Sequence, residues 1–236
     1  MPDSNQPSHF LTHDYLTLGT GKLFHENLPP NGDGKLSWTD SAVQFSCVDS
    51  GAGGDGTYCD PKMASCKTPG PAYAPHPRWC VVPSPDGAAH GDGYFADINT
   101  TRDAVMKFQA IRAAGPNRSF FLGVGLRKPH LDWRVPQSYL DKYPTGSVGL
   151  PAHPVAPAGM PQIAYHDTAR SLGEHQQWAG WGYKDPWTPM KNITARDMRR
   201  HYYAAVTFMD DRVGELLEAL DQAGRVESTI VLFHAE

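Results

Sequence analysis

"SFFLGVGLRKPHLDW", residues 119–133, decides how the rest of the chain is read. Apolar strand-forming residues, Phe120, Phe121, Leu122 and Val124, stop abruptly at Arg127, Lys128 and His130, with Pro129 wedged between them. An uninterrupted apolar strand is the kind that lies inside a parallel sheet, covered on both faces. Two readings of its cationic tip compete. Either the strand simply leaves the core there and meets solvent, or the tip is the rim of a site. Ligands of open α/β sheets sit beyond the carboxyl ends of the strands.

The flanking segments supply the rest of such a sheet. Upstream, "NTTRDAVMKFQAIRAAG" (99–115) predicts a helix capped by Thr100 or Thr101, with Ala104, Val105, Phe108 and Ile111 on its apolar face and Gly115 as its stop. Earlier still, "DYLTLGTGKLFHE" (14–26) predicts a short strand around Tyr15, Leu16, Thr17 and Leu18, broken by Gly19 and Gly21 before Lys22 and His25. Downstream, "TARDMRRHYYAAVTFMDDRVGELLEALDQAG" (194–224) has the pattern of a long helix. Thr194 and Asp197 form a capping-box pattern, and Gly224 stands at the exit. Its helical spacing runs through Tyr202, Ala205, Val206, Met209, Val213, Leu216, Leu217 and Leu220. "STIVLF" (228–233) then predicts a third buried strand, followed by "HAE". The strand–helix alternation implies an α/β fold, a largely parallel mixed sheet flanked by helices. Residues 47–92, rich in Cys, Gly and Pro, and 132–191, rich in Pro and Trp, read as long loop regions within one domain, 1–236.

Composition narrows the function. With 23 glycines and 21 prolines in 236 residues, the chain suits a globular protein with long ordered loops. A net charge of -4 and no basic stripe argue against nucleic acid as a partner. No apolar run is long enough to span a membrane, and "MPDSNQPSHF" lacks both the basic start and the apolar stretch of a signal peptide. Cys47, Cys59, Cys66 and Cys80 share one segment without the close pairs of zinc sites. Two disulfides pinning that loop are expected, with free thiols as the alternative. Sequons at Asn99, Asn117 and Asn192 fit the same oxidising compartment.

Three expected strands each run into ionisable residues: Lys22 and His25, then Arg127, Lys128 and His130, then His234 and Glu236. If the strands are parallel neighbours, these groups converge on one edge of the sheet. Taken singly, a lysine after a strand is usually a solvated end and a histidine a hydrogen-bonded filler. Taken together, they suit an oxyanion. Lysine offers a compact charged donor to phosphate or sulfate oxygens, and histidine passes a proton near neutral pH. Charge type alone leaves phosphate and sulfate esters both open.

"YLTLGTGKLFHE", "FFLGVGLRKPHLDWRVPQSYLDKYP" and "YYAAVTFMDDRVGELLEALDQAG…STIVLF" together resemble the sulfatases, most closely their iduronate-2-sulfatase-like branch. The resemblance implies an alkaline-phosphatase-like fold and hydrolysis of a sulfate ester by a formylglycine residue beside a calcium ion. Lys22 matches the lysine that holds the sulfate oxygens. His25 matches a histidine acting on the formylglycine hydroxyl, and His130 one touching the sulfate and the leaving oxygen. Lys128 is a neighbour suited to orienting an acidic sugar. A sulfated carbohydrate is the implied substrate, and a lysosomal or secreted location is implied for the whole protein.

The sequence departs from the family at three points. It has no Cys or Ser followed by x-Pro-x-Arg to supply the formylglycine. The paired aspartates that open the family's N-terminal strand and bind calcium are missing, and Glu236 stands where a metal-binding aspartate is expected. The expectation is therefore the central part of a sulfatase domain, incomplete at both ends and inactive alone. The alternative is a short non-catalytic protein that binds sulfated glycans.

Overall fold

The computed structural model describes residues 6–23, 34–39, 79–82, 96–130, 133–164 and 185–235. In chain order the elements are α1 (Gln6–Thr12), β1 (Leu16–Gly21), α2 (Gly34–Ser37), β2 (Trp79–Val82), α3 (Ala96–Ala113), β3 (Phe120–Gly125), β4 (Trp133–Pro136), α4 (Gln137–Leu140) and α5 (Asn192–Gln222). Among the described residues the strands form two parallel pairs, β1 with β3 and β2 with β4. The parallel pairing and the covering helices agree with the α/β class. Parallel neighbours need a crossover, and α3 lies between β1 and β3 in sequence and packs on both.

The first pair is the frame of the site. Its register runs from Leu16 opposite Phe120 to Gly21 opposite Gly125. Leu18 of β1 is buried with Phe108 and Ile111 of α3 and with Ala219 and Leu220 of α5. A second core gathers Val135 of β4, Leu140 of α4, and Ala204, Ala205 and Phe208 of α5. The 31-residue α5 therefore serves both sheets. At 1.5 Å per residue it is a rod about 46 Å long. Arg225 fastens its far end: Nη2 donates to the Arg118 carbonyl (3.0 Å), and the guanidinium lies over the Phe120 ring.

Several expectations are corrected. Helix α3 starts at Ala96, before Thr100 and Thr101, so neither threonine caps it. Thr101 is buried inside the helix and its hydroxyl donates back to the Asp97 carbonyl (2.7 Å). The stop at Gly115 holds, at a φ of 94° that favours glycine. Thr194 likewise lies inside α5, whose N-cap is Lys191, and Asp197 pairs with Arg200 rather than closing a capping box. The buried stripe of α5 runs through His201, Ala204, Ala205 and Phe208, while Tyr202 and Leu217 are exposed. Ala205 and Leu220 of the expected spacing are buried, so the expected and observed faces overlap in part.

The two loop regions contain short elements. β2 lies within 47–92, and β4 and α4 lie within 132–191. Among the described residues the expected third strand does not form a ladder. After a short turn at Val226–Ser228 the backbone is extended at Thr229, but β1 and β3 pair only with each other among the described residues. Ile230 is 96% exposed and Phe233 70%. An apolar segment becomes a strand only when a neighbour takes up its backbone hydrogen bonds. Cys47, Cys59 and Cys66 lie outside the described residues, as does the side chain of Cys80 in β2, so the disulfide expectation falls there too.

Candidate active site

The carboxyl ends of β1 and β3 meet at a pair of glycines, and their bareness sets the geometry. Gly21 and Gly125 are partners in register. Beyond them, the Lys22 amide donates to the Gly125 carbonyl (2.7 Å), and the Leu23 amide to Gly21 (3.0 Å). A Cβ at Gly125 would overlap the carbonyl carbon and oxygen of Lys22, and one at Gly21 would overlap the Gly125 oxygen. Gly21 also has a φ of 79°, outside the range that side chains tolerate well. Lys22 thus leaves β1 directly across the tip of β3.

The segment after β3 turns back at once. The His130 amide donates to the Arg127 carbonyl (2.9 Å), and the Lys128–Pro129 peptide is cis. With a cis proline at the third position, this is a type VI turn. Neighbouring elements hold its backbone. The Asp97 carboxylate, in the first turn of α3, accepts from the Arg127 amide (2.6 Å) and the Lys128 amide (3.0 Å). The Trp133 indole in β4 donates to the Pro129 carbonyl (2.8 Å).

Lys22 and the turn carrying Arg127, Lys128 and His130 therefore leave the same edge of one parallel pair. Lys22, Arg127 and Lys128 are partly buried and His130 is exposed. His25 and Glu236 lie outside the described residues. His234 is exposed in the segment after Thr229, which joins no sheet among the described residues. Asp97 is the residue that sequence reading missed. It sits 30 residues before the amide it binds, and a bond to a backbone N–H leaves no mark on the residue type that receives it. Its signal is an acid in the first turn of a helix, masked because the helix begins at Ala96, ahead of the Thr100 and Thr101 that resemble caps.

Two other polar clusters support the scaffold. The Nδ1–H of His201 donates to the Asp197 carbonyl (2.9 Å), and Arg200 joins the Asp197 carboxylate (3.1 Å) to the Tyr143 carbonyl (2.7 Å). Burial pushes the His201 ring below its ordinary pKa, outweighing the pull of Asp197. The Tyr139 hydroxyl donates to Asp211 (2.6 Å), and its pKa is pushed up to about 12, chiefly by burial.

Among the described residues no group of three or more His, Cys, Asp or Glu side chains comes together to hold a metal. They do not compose a calcium site. What the edge carries is ammonium, guanidinium and imidazole side chains, a set suited to an anion, while the tip's backbone N–H groups are engaged within the protein. Among the described residues no helix is long and apolar enough to cross a membrane.

Comparison with known proteins places the chain. The sulfatase family profile matches residues 36–235. Iduronate 2-sulfatase of Homo sapiens is 27% identical over 248 residues, covering 99% of this chain and 40% of that protein. Iduronate 2-sulfatase of Mus musculus is 26% identical over 99% of the chain and 40% of its own length. A sulfatase of Formosa agariphila is 22% identical over 98% of the chain and 40% of its own length. The chain thus spans about 40% of the length of these curated relatives. The chain belongs to the sulfatase family, whose fold is alkaline-phosphatase-like.

Proposed function

We propose that the chain forms the sulfate-gripping side of an active site that hydrolyses sulfate esters, on a sulfated uronic acid or a related glycan. One observation carries this reading: the register of β1 and β3 brings Lys22 and the 127–130 turn to a common edge. Lys22 holds the sulfate oxygens as a fixed charge, and Lys128 orients an acidic sugar. His130 holds a proton at the leaving oxygen, and His25 moves one near neutral pH. Formylglycine supplies the nucleophile in such chemistry. Neither it nor calcium finds a complete set of residues among those described. Glu236 is the ligand this sequence offers to calcium in the proposal. A lysosomal or secreted location belongs to the same reading.

The test is turnover of an aryl sulfate and of a sulfated uronic-acid disaccharide by the protein purified from its natural source. Lys22→Ala is expected to lower kcat/KM by about 100-fold or more, the scale of losing one preorganised charge donor. Binding of the disaccharide without turnover would favour the non-catalytic glycan-binding alternative. Neither binding nor turnover, or an Lys22→Ala variant with full activity, would sink the proposal.

A further inference from the structure

We infer that Asp97 is the positioning residue of this site: its carboxylate clamps the 127–130 turn and so aims Lys128 and His130. The inference rests on the sulfatase reading above. Asp97 is 3% exposed, and a buried carboxylate needs strong partners. It has them in two consecutive amides of the turn, Arg127 at 2.6 Å and Lys128 at 3.0 Å, one on each oxygen. Hydrogen bonds to an ionised acceptor are roughly twice as strong as neutral ones. Two bonds to adjacent peptide units also fix a direction, which one bond does not. Trp133 fixes the next carbonyl, so the backbone of the turn is held by α3 on one side and β4 on the other. Asp97 is in turn tied by its own carbonyl to the buried Thr101 hydroxyl. The side chains of Lys128 and His130 inherit their placement from this frame. Asp97 does not need to touch the substrate to matter.

The chemistry of the amide makes Asp97→Asn a sharp probe. Asparagine keeps one acceptor oxygen and presents an NH2 where the second stood, so one of the two backbone N–H groups loses its partner. The variant is compared with wild type in the protein purified from its natural gene. Turnover of an aryl sulfate is followed together with amide hydrogen exchange at Arg127 and Lys128. Expected is a 10- to 100-fold fall in kcat with KM changed less than threefold, the scale on which a displacement of about 1 Å acts. Asp97→Glu, which keeps the charge, recovers part of the loss. In wild type both amides exchange as slowly as those of β3. Wild-type kcat in a folded Asp97→Asn protein overturns the inference, as does a loss that only follows the folded fraction. If Asp97→Asn does not fold, Asp97→Glu and wild-type exchange decide, and fast exchange at both amides overturns it. Failure of the wild-type protein to turn over or bind any sulfate ester refutes the sulfatase reading instead, and exchange at the two amides still judges the clamp.

Discussion

Gly125→Ala adds one methyl group at the point where two backbones touch. A Cβ there would overlap the Lys22 carbonyl and lie 2.7 Å from the Leu23 nitrogen, whereas ordinary contacts are 3.4–4 Å. Both obstacles are main chain, so no side chain can swing aside. Relief requires the Lys22–Leu23 peptide to move by about 1 Å, which breaks the 2.7 Å bond from the Lys22 amide to the Gly125 carbonyl. Overpacking of this kind costs about 1–3 kcal/mol, and a lost hydrogen bond adds about 1 kcal/mol. A total of about 2–4 kcal/mol is a large part of a domain's net stability. The measurement is the urea midpoint at unchanged m-value, with Gly149→Ala as control because nothing lies within 4 Å of a Cβ there. The control is expected within about 0.5 kcal/mol of wild type. If Gly125→Ala unfolds as late as the control, the close crossing of Lys22 over β3 is wrong. The placement of Lys22 at the site would go with it.

Gly214 sits inside α5 with nothing within 4 Å of a would-be Cβ, so Gly214→Ala should stabilise the protein by about 0.5–1 kcal/mol in the same unfolding assay. His201 gives a pH signature. Its folded pKa is lowered, so the unfolded chain binds the proton more readily; the ring's contribution is full above 6.5 and is lost as pH falls from there through the lower folded value. His201→Gln should therefore show a shallower loss of stability than wild type below pH 6.5, and parallel curves would refute the burial argument.

Much of this fold is legible because strand and helix patterns are written in consecutive residues. The run at Phe120, Phe121 and Leu122 and the spacing of Ala104, Phe108 and Ile111 mark β3 and α3 without any long-range knowledge. The convergence of Lys22 with the 127–130 turn is legible for a related reason, since parallel strands deliver their tips to one edge. β2 and β4 were hidden by brevity and by their Gly- and Pro-rich surroundings, and Pro136 disguises the end of β4. The segment at Ile230 and Phe233 carries a strand's composition, but pairing is a property of two segments, and composition speaks for one. Asp97 escaped notice because its partners are peptide groups, which every residue possesses.

The span of α5 across two cores sets a rule for how this sequence can vary. Phe208 and Ala219, anchors of the two clusters, are eleven positions apart, and at about 100° per residue that spacing returns to within about 20° of the same face. Substitutions on the exposed positions between them leave that phase intact. One inserted or deleted residue would swing one anchor by about 100° relative to the other and empty a core at one end of the rod. Descendants of this gene are thus free to change exposed letters of the helix's middle that make no contact, such as Gly214, but not to change how many letters there are.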